Sequence, residues 1–118
     1  MQLKLIKGQY MKKMILLFLL LFSINLYGAD RAKCEELFRD AIFNFYLENS
    51  CKFDKHISSA LRKEFGNQDC PKMFSDSDMK KLNSEVLGDS YMKMKKVGKD
   101  NFCKSNKAKY DALQVTYP

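Results

Sequence analysis

Residues 34–51 read CEELFRDAIFNFYLENSC, and the spacing of their apolar side chains decides the fold. Cys34, Leu37, Phe38, Ala41, Ile42, Phe45 and Tyr46 recur at intervals of three and four, the period of an amphipathic helix and not of a strand. Asp30 is placed to cap this helix, and Asn49 and Ser50 to end it. Its apolar surface is wider than one stripe, because Phe43 and Leu47 lie away from the Leu37–Ala41–Phe45 line. A helix apolar nearly all round is either enclosed by neighbours or carries a second contact surface. Phe43, Tyr46 and Leu47 are therefore candidates for an apolar partner face, which a homo-oligomer would use as readily as a different protein.

The helical period continues downstream. Phe53, Ile57, Ala60, Leu61 and Phe65 form a second segment, with Asp54 as its expected cap and Gly66-Asn67 as its stop. Cys70-Pro71 begins a connector that runs through Phe74. Ser75-Asp76-Ser77-Asp78 combines a hydroxyl cap with acidic first-turn residues, the signature of a helix start. Met79, Leu82 and Val86 form the apolar side of this third segment, and Gly88 is its expected break. A fourth segment, capped by Asp89 or Ser90, places Tyr91, Met94, Val97, Gly98 and Phe102 on one face. It is expected to run through Cys103 towards Leu113, leaving Val115–Pro118 frayed. No alternating pattern of useful length interrupts these segments, so the fold class is all-α, a small bundle of three to four short helices.

That reading constrains the four cysteines. Cys34, Cys51, Cys70 and Cys103 permit three pairings. Cys34 and Cys51 bracket the first helix, so at 1.5 Å per residue they stand roughly 22–25 Å apart. A disulfide allows about 7 Å between Cα atoms. The same argument separates Cys51 from Cys70 across the second helix. Only Cys34–Cys70 with Cys51–Cys103 survives. The spacings contain no Cys-x-x-Cys, which excludes zinc-ribbon, thioredoxin-like and c-type haem patterns.

Upstream of the helices the composition changes. Residues 14–26 read MILLFLLLFSINL, preceded by Lys12 and Lys13 and followed by Tyr27, Gly28 and Ala29. A basic segment, a short apolar run and small residues describe a cleaved signal peptide over residues 1–29. The apolar run falls short of the roughly 20 residues of a spanning helix. Met11 opens a signal that is already complete, so residues 1–10 read as a start-site artefact. Membrane contact is then transient, and the mature product is a single domain, residues 30–118, in the periplasm or outside the cell. An even cysteine count in a short exported chain implies disulfides.

Removing the leader changes the electrostatics. The full chain carries a net charge of +7, but residues 30–118 hold seventeen basic and fourteen acidic side chains, a net of +3. This charge is skewed: residues 90–118 hold seven lysines against two aspartates. The domain is basic from about residue 90. Nucleic acid is a minor candidate, because arginine, the bidentate phosphate ligand, is scarce.

Catalytic readings find little to stand on. His56, the single histidine, has Asp54 two residues away and hence on another helical face. Ser58, Ser59 and Ser75 lack a nucleophile-elbow setting and read as surface or capping residues. Glu35-Glu36, Asp54 and Asp76–Asp78 could in principle pair, but a glycosidase needs a cleft between two carboxyls, which a helical domain this small seldom provides. Met73, Met79, Met92 and Met94 suggest core packing more than a Cu(I) site. No cofactor is implied. The most distinctive stretch is Tyr91–Lys104, where Lys93, Lys96, Lys99 and Lys104 form a candidate anion or partner contact. The chain resembles small exported helical disulfide proteins of bacteria in architecture alone, which implies no function. The expectation is a non-enzymatic interaction protein of the bacterial envelope, contacting a protein or an anionic component. The alternatives are a periplasmic holdase chaperone and, last, a small hydrolase.

Overall fold

A computed structural model describes residues 30–118; the expected signal peptide and start site lie outside the described residues. Four α-helices and one short 3-10 turn make up this part, without a strand among the described residues. Helix α1 covers 30–51, α2 Ile57–Asn67, the 3-10 turn Cys70–Met73, α3 Asp76–Val97 and α4 Lys99–Thr116.

Helix α1 is the axis around which the others pack. Cys34, Leu37, Ala41, Ile42 and Leu47 are buried on it. Phe38 meets Phe65 of α2 at 5.4 Å between ring centroids. On another side Phe43 and Tyr46 set their rings edge-on to Phe102 of α4, at 6.3 and 6.0 Å. The Tyr46 hydroxyl donates to Met94 Sδ of α3 at 3.5 Å, and Arg39 bridges to Glu85 of α3 at 3.3 Å. The breadth of α1's apolar surface therefore has an internal use, because α2, α3 and α4 each take part of it.

The two disulfides are those that helical geometry leaves possible. Cys34–Cys70 and Cys51–Cys103 both have Cα–Cα distances of 5.4 Å. The first ties the start of α1 to the 3-10 turn after α2, closing an antiparallel hairpin. The second ties the end of α1 to the first turns of α4, and no cysteine is left free.

Several local expectations are corrected. Asp54 does not cap α2, and Phe53 precedes that helix. His56 occupies the cap position in a left-handed conformation, φ 55°, and offers no side-chain bond. The stop is also displaced. Gly66 and Asn67 are helical, and the chain leaves the helix at Gln68, with Asp69 left-handed at φ 55°. Ser75 and Asp78 do form the expected capping box: Asp78 N donates to Ser75 Oγ at 3.1 Å, and Ser75 N to Asp78 Oδ2 at 3.3 Å.

The largest correction concerns the two later helices. Gly88 breaks nothing, since α3 continues through it for nine more residues and Asp89 and Ser90 cap nothing. Ser90 is buried mid-helix, its hydroxyl bonded back to Val86 O at 2.6 Å. The break falls at Gly98, with φ 87° and ψ 149°, a region that side chains with a Cβ avoid. A long amphipathic helix tolerates one interior glycine at about 1 kcal/mol when its core-facing stripe (buried Val86 with half-buried Met79, Leu82 and Met94) runs on both sides. The tail is not frayed either. Helix α4 runs to Thr116, and Tyr117 packs against the core.

The two glycines should thus respond oppositely to alanine. Gly88→Ala meets open space and a helical backbone, so urea unfolding should show a gain of roughly 0.5–1 kcal/mol. Gly98→Ala should lose on the order of 1–3 kcal/mol, because its positive φ and extended ψ are strained for alanine.

Candidate functional site

Polar or exposed apolar groups gather in a network at the end of α1, in a groove beside it, and at the elbow between α3 and α4, among other places.

The network centres on Glu48. Tyr110 of α4 is buried to 1% exposure, and its hydroxyl donates to Glu48 Oε2 at 2.7 Å while accepting Lys55 N–H at 3.0 Å. Ser58, buried on the first turn of α2, gives its hydroxyl to Glu48 Oε1, and its N–H points at Oε2 from 3.5 Å. A carboxylate from α1 thus meets the positive end of the α2 dipole, the role Asp54 was expected to fill. Ser58 is accordingly a core residue and not a surface one. Burial first, then the Glu48 hydrogen bond and charge, push the Tyr110 hydroxyl up to about 12. Its donors and acceptors are turned on each other, so the cluster ties α1, α2 and α4 together. Around its rim Lys55 pairs with Asp111 at 3.1 Å, and the Phe53 ring lies tilted against Tyr110 with centroids 4.8 Å apart.

Between α1 and α4 runs a groove of about 370 Å³, lined by Asp40, Phe43, Asn44, Leu47, Lys109 and Leu113 among others. Desolvation and the neighbouring Glu36 raise the Asp40 carboxyl above the usual carboxylate range. Asn44 is buried and donates to Asp40 O at 2.7 Å.

The residues of the expected apolar partner face differ in exposure, Phe43 and Tyr46 being half-buried and Leu47 buried. Leu47 is 1% exposed, and Phe43 and Tyr46 lie against Phe102. Enclosure by α4 explains their apolar character. The residue that does reach solvent is Phe45, 46% exposed, which the sequence placed on the inner line with Leu37 and Ala41.

The elbow is built differently. The buried stripe of α3 faces the core, so Met92 points away from it and is 64% exposed. Tyr91 and Val97 are 51% and 48% exposed. Met92, Lys93, Lys95 and Lys96 surround a shallow, open depression of about 350 Å³ whose floor is carbon: the methionine and the lysine stems. Gly98 divides the lysines of the candidate anion contact between two helices. Lys93 and Lys96 belong to α3, and Lys99 and Lys104 to α4. All four are exposed, as is Lys95. Among the described residues, the ion pairs of lysine are Lys55 and Lys107 with Asp111 and Lys72 with Asp69, so these five have no carboxylate partner.

Helix dipoles account for part of this charge. Lys95 and Lys96 sit in the last turn of α3, where a cation is favoured. Lys99 opens α4, where a cation is disfavoured by roughly 0.3–1 kcal/mol, with Asp100 beside it as partial relief. A like-charged group kept at such a point works against stability. Compared with protein-family models, curated protein sequences and solved structures, the chain matches none.

The buried phenol sets a measurable alkaline limit. A hydroxyl whose folded value is raised contributes stability that is complete below pH 10 and disappears as pH climbs towards 12. Stability measured by urea unfolding should therefore fall over that window more steeply for the native protein than for Tyr110→Phe. At neutral pH the same substitution should cost on the order of 1–3 kcal/mol, since Glu48 and Lys55 N–H lose their common partner.

Proposed function

We propose that this protein is an exported, non-enzymatic binding module that attaches to an anionic component of the bacterial envelope through the α3–α4 elbow. The observation that carries the reading is the elbow itself: Lys93, Lys95 and Lys96 line an open depression with the exposed Met92, and Lys99 and Lys104 follow across Gly98, all five exposed and without carboxylate partners among the described residues. Lysine stems and a methionine supply apolar contact, while the ammonium groups meet phosphate or carboxylate. Interleaving of this kind suits the interface of an anionic surface, where charge brings the protein in and short apolar side chains hold it. Two disulfides accord with an oxidising compartment, and no helix among the described residues is long and apolar enough to cross a membrane.

Co-sedimentation with phosphatidylglycerol-containing vesicles tests this, with phosphatidylcholine vesicles as the neutral control. Binding should appear only with the anionic lipid and weaken as salt rises. Each lysine near such a surface contributes about 1 kcal/mol, so Lys93→Glu/Lys96→Glu/Lys99→Glu should bind at least a hundredfold more weakly. Undiminished binding by that variant would contradict the proposal. Protection of unfolding client proteins at low pH, without vesicle binding, would point to the holdase instead.

A further inference from the structure

On the side of α1 away from α4, Phe38, Ala41, Ile42 and Phe45 form a continuous stripe at helical spacing. Arg62 of α2 and Asn83 of α3 complete the walls of a groove of about 210 Å³. Ala41 and Ile42 make a floor that is nearly dry, and Phe45 stands at one end half in solvent. The Arg62 guanidinium lies over the Phe45 ring, 5.8 Å from its centroid. Contact of this kind restrains the guanidinium, and Arg62 is exposed, so its N–H groups remain open to a ligand. Arg62 has no carboxylate partner among the described residues, in contrast to Arg39 one turn along α1, which holds both Glu35 and Glu85.

We propose that this groove binds the free carboxyl end of a partner polypeptide whose last side chain is apolar. The apolar side chain would lie over Ala41 and Ile42 between Phe38 and Phe45, and the terminal carboxylate would take the Arg62 fork. An oriented arginine is suited to bidentate capture of a carboxylate, and no acidic side chain lines the groove to compete for it. Asn83 supplies a carboxamide for the adjacent peptide group, a use that a simple fatty acid would leave idle. Size argues the same way. The stripe from Phe38 to Phe45 rises on the order of 10 Å, and the volume lies below the roughly 300–1,000 Å³ of drug-sized ligand sites. One side chain and its carboxylate fit this space, while a long acyl chain would overrun it. Recognition of a chain terminus is a known mode of peptide capture. This site is separate from the elbow and does not depend on how the elbow is used.

Titration of the disulfide-bonded exported protein, followed by amide NMR, tests the assignment. The probe is N-acetyl-leucyl-phenylalanine with a free carboxylate, beside its carboxamide and sodium octanoate. The acid should shift the amides of Ala41, Ile42, Phe45, Arg62 and Asn83 with a millimolar dissociation constant. The carboxamide should bind at least tenfold more weakly, and Arg62→Gln, an exposed substitution, should bind acid and carboxamide alike. Equal binding of acid and carboxamide by the native protein overturns the proposal, as does tighter binding of octanoate than of the peptide acid. Silence of these amides up to about 10 mM acid also overturns it. Vesicle binding by the elbow is read separately, so either site can fail alone.

Discussion

The clamp formed by Cys34–Cys70 and Cys51–Cys103 is the constraint on which the rest of the molecule depends. Residues 30–118 build only a small core, and a domain of that size buries too little surface to be comfortable without cross-links. Each bridge joins the end of a long helix to a segment far along the chain, 36 and 52 residues apart, so each removes substantial freedom from the unfolded state. With α1 fixed at both ends, its apolar sides are allotted: one to α2, one to α4, and a strip to α3. The Glu48–Tyr110–Ser58 network completes the same clamp at the end of α1 with hydrogen bonds. It ties the α1–α2 linker to α4 beside the second bridge.

This packing explains where free surface remains. Helix α4 covers Phe43, Tyr46 and Leu47 because Cys103 draws it against the end of α1. Helices α2 and α3 flank α1 on the other side without meeting over it, which leaves Phe45 and Ile42 at the bottom of an open groove. The C-terminal half of α3 extends with Met92 turned away from the core, and its lysines gather at the turn into α4.

Much of the architecture was legible in the residues. The three-four spacing of Leu37 to Tyr46 announced α1, the Ser75–Asp78 box marked the start of α3, and helix lengths alone selected the disulfide pairing. Failures arose where tertiary contacts override local signals. Gly88 carries a breaker's chemistry, but Val86 and Ser90 are buried on either side and hold the helix through it. Gly98 is the same residue type without that support and takes a backbone conformation that ends the helix. Asp54 was a fair local cap, yet Glu48 reaches the α2 terminus from another helix, which no window along the chain reveals. Phe45 and Leu47 exchanged their expected roles because the helix period tells which residues share a face but not which neighbour covers it. The elbow was visible as a lysine run; its division by Gly98 and the outward turn of Met92 were not.

Peptide mapping by mass spectrometry, under non-reducing conditions and on protein recovered from fractionated cells that produce it, tests the central claim most directly. The account predicts cross-linked fragments joining Cys34 to Cys70 and Cys51 to Cys103, with a new N-terminus near residue 29 or 30. Recovery from the cytosol of a chain with its leader intact and four free thiols, or a bridge between Cys34 and Cys51, would contradict it.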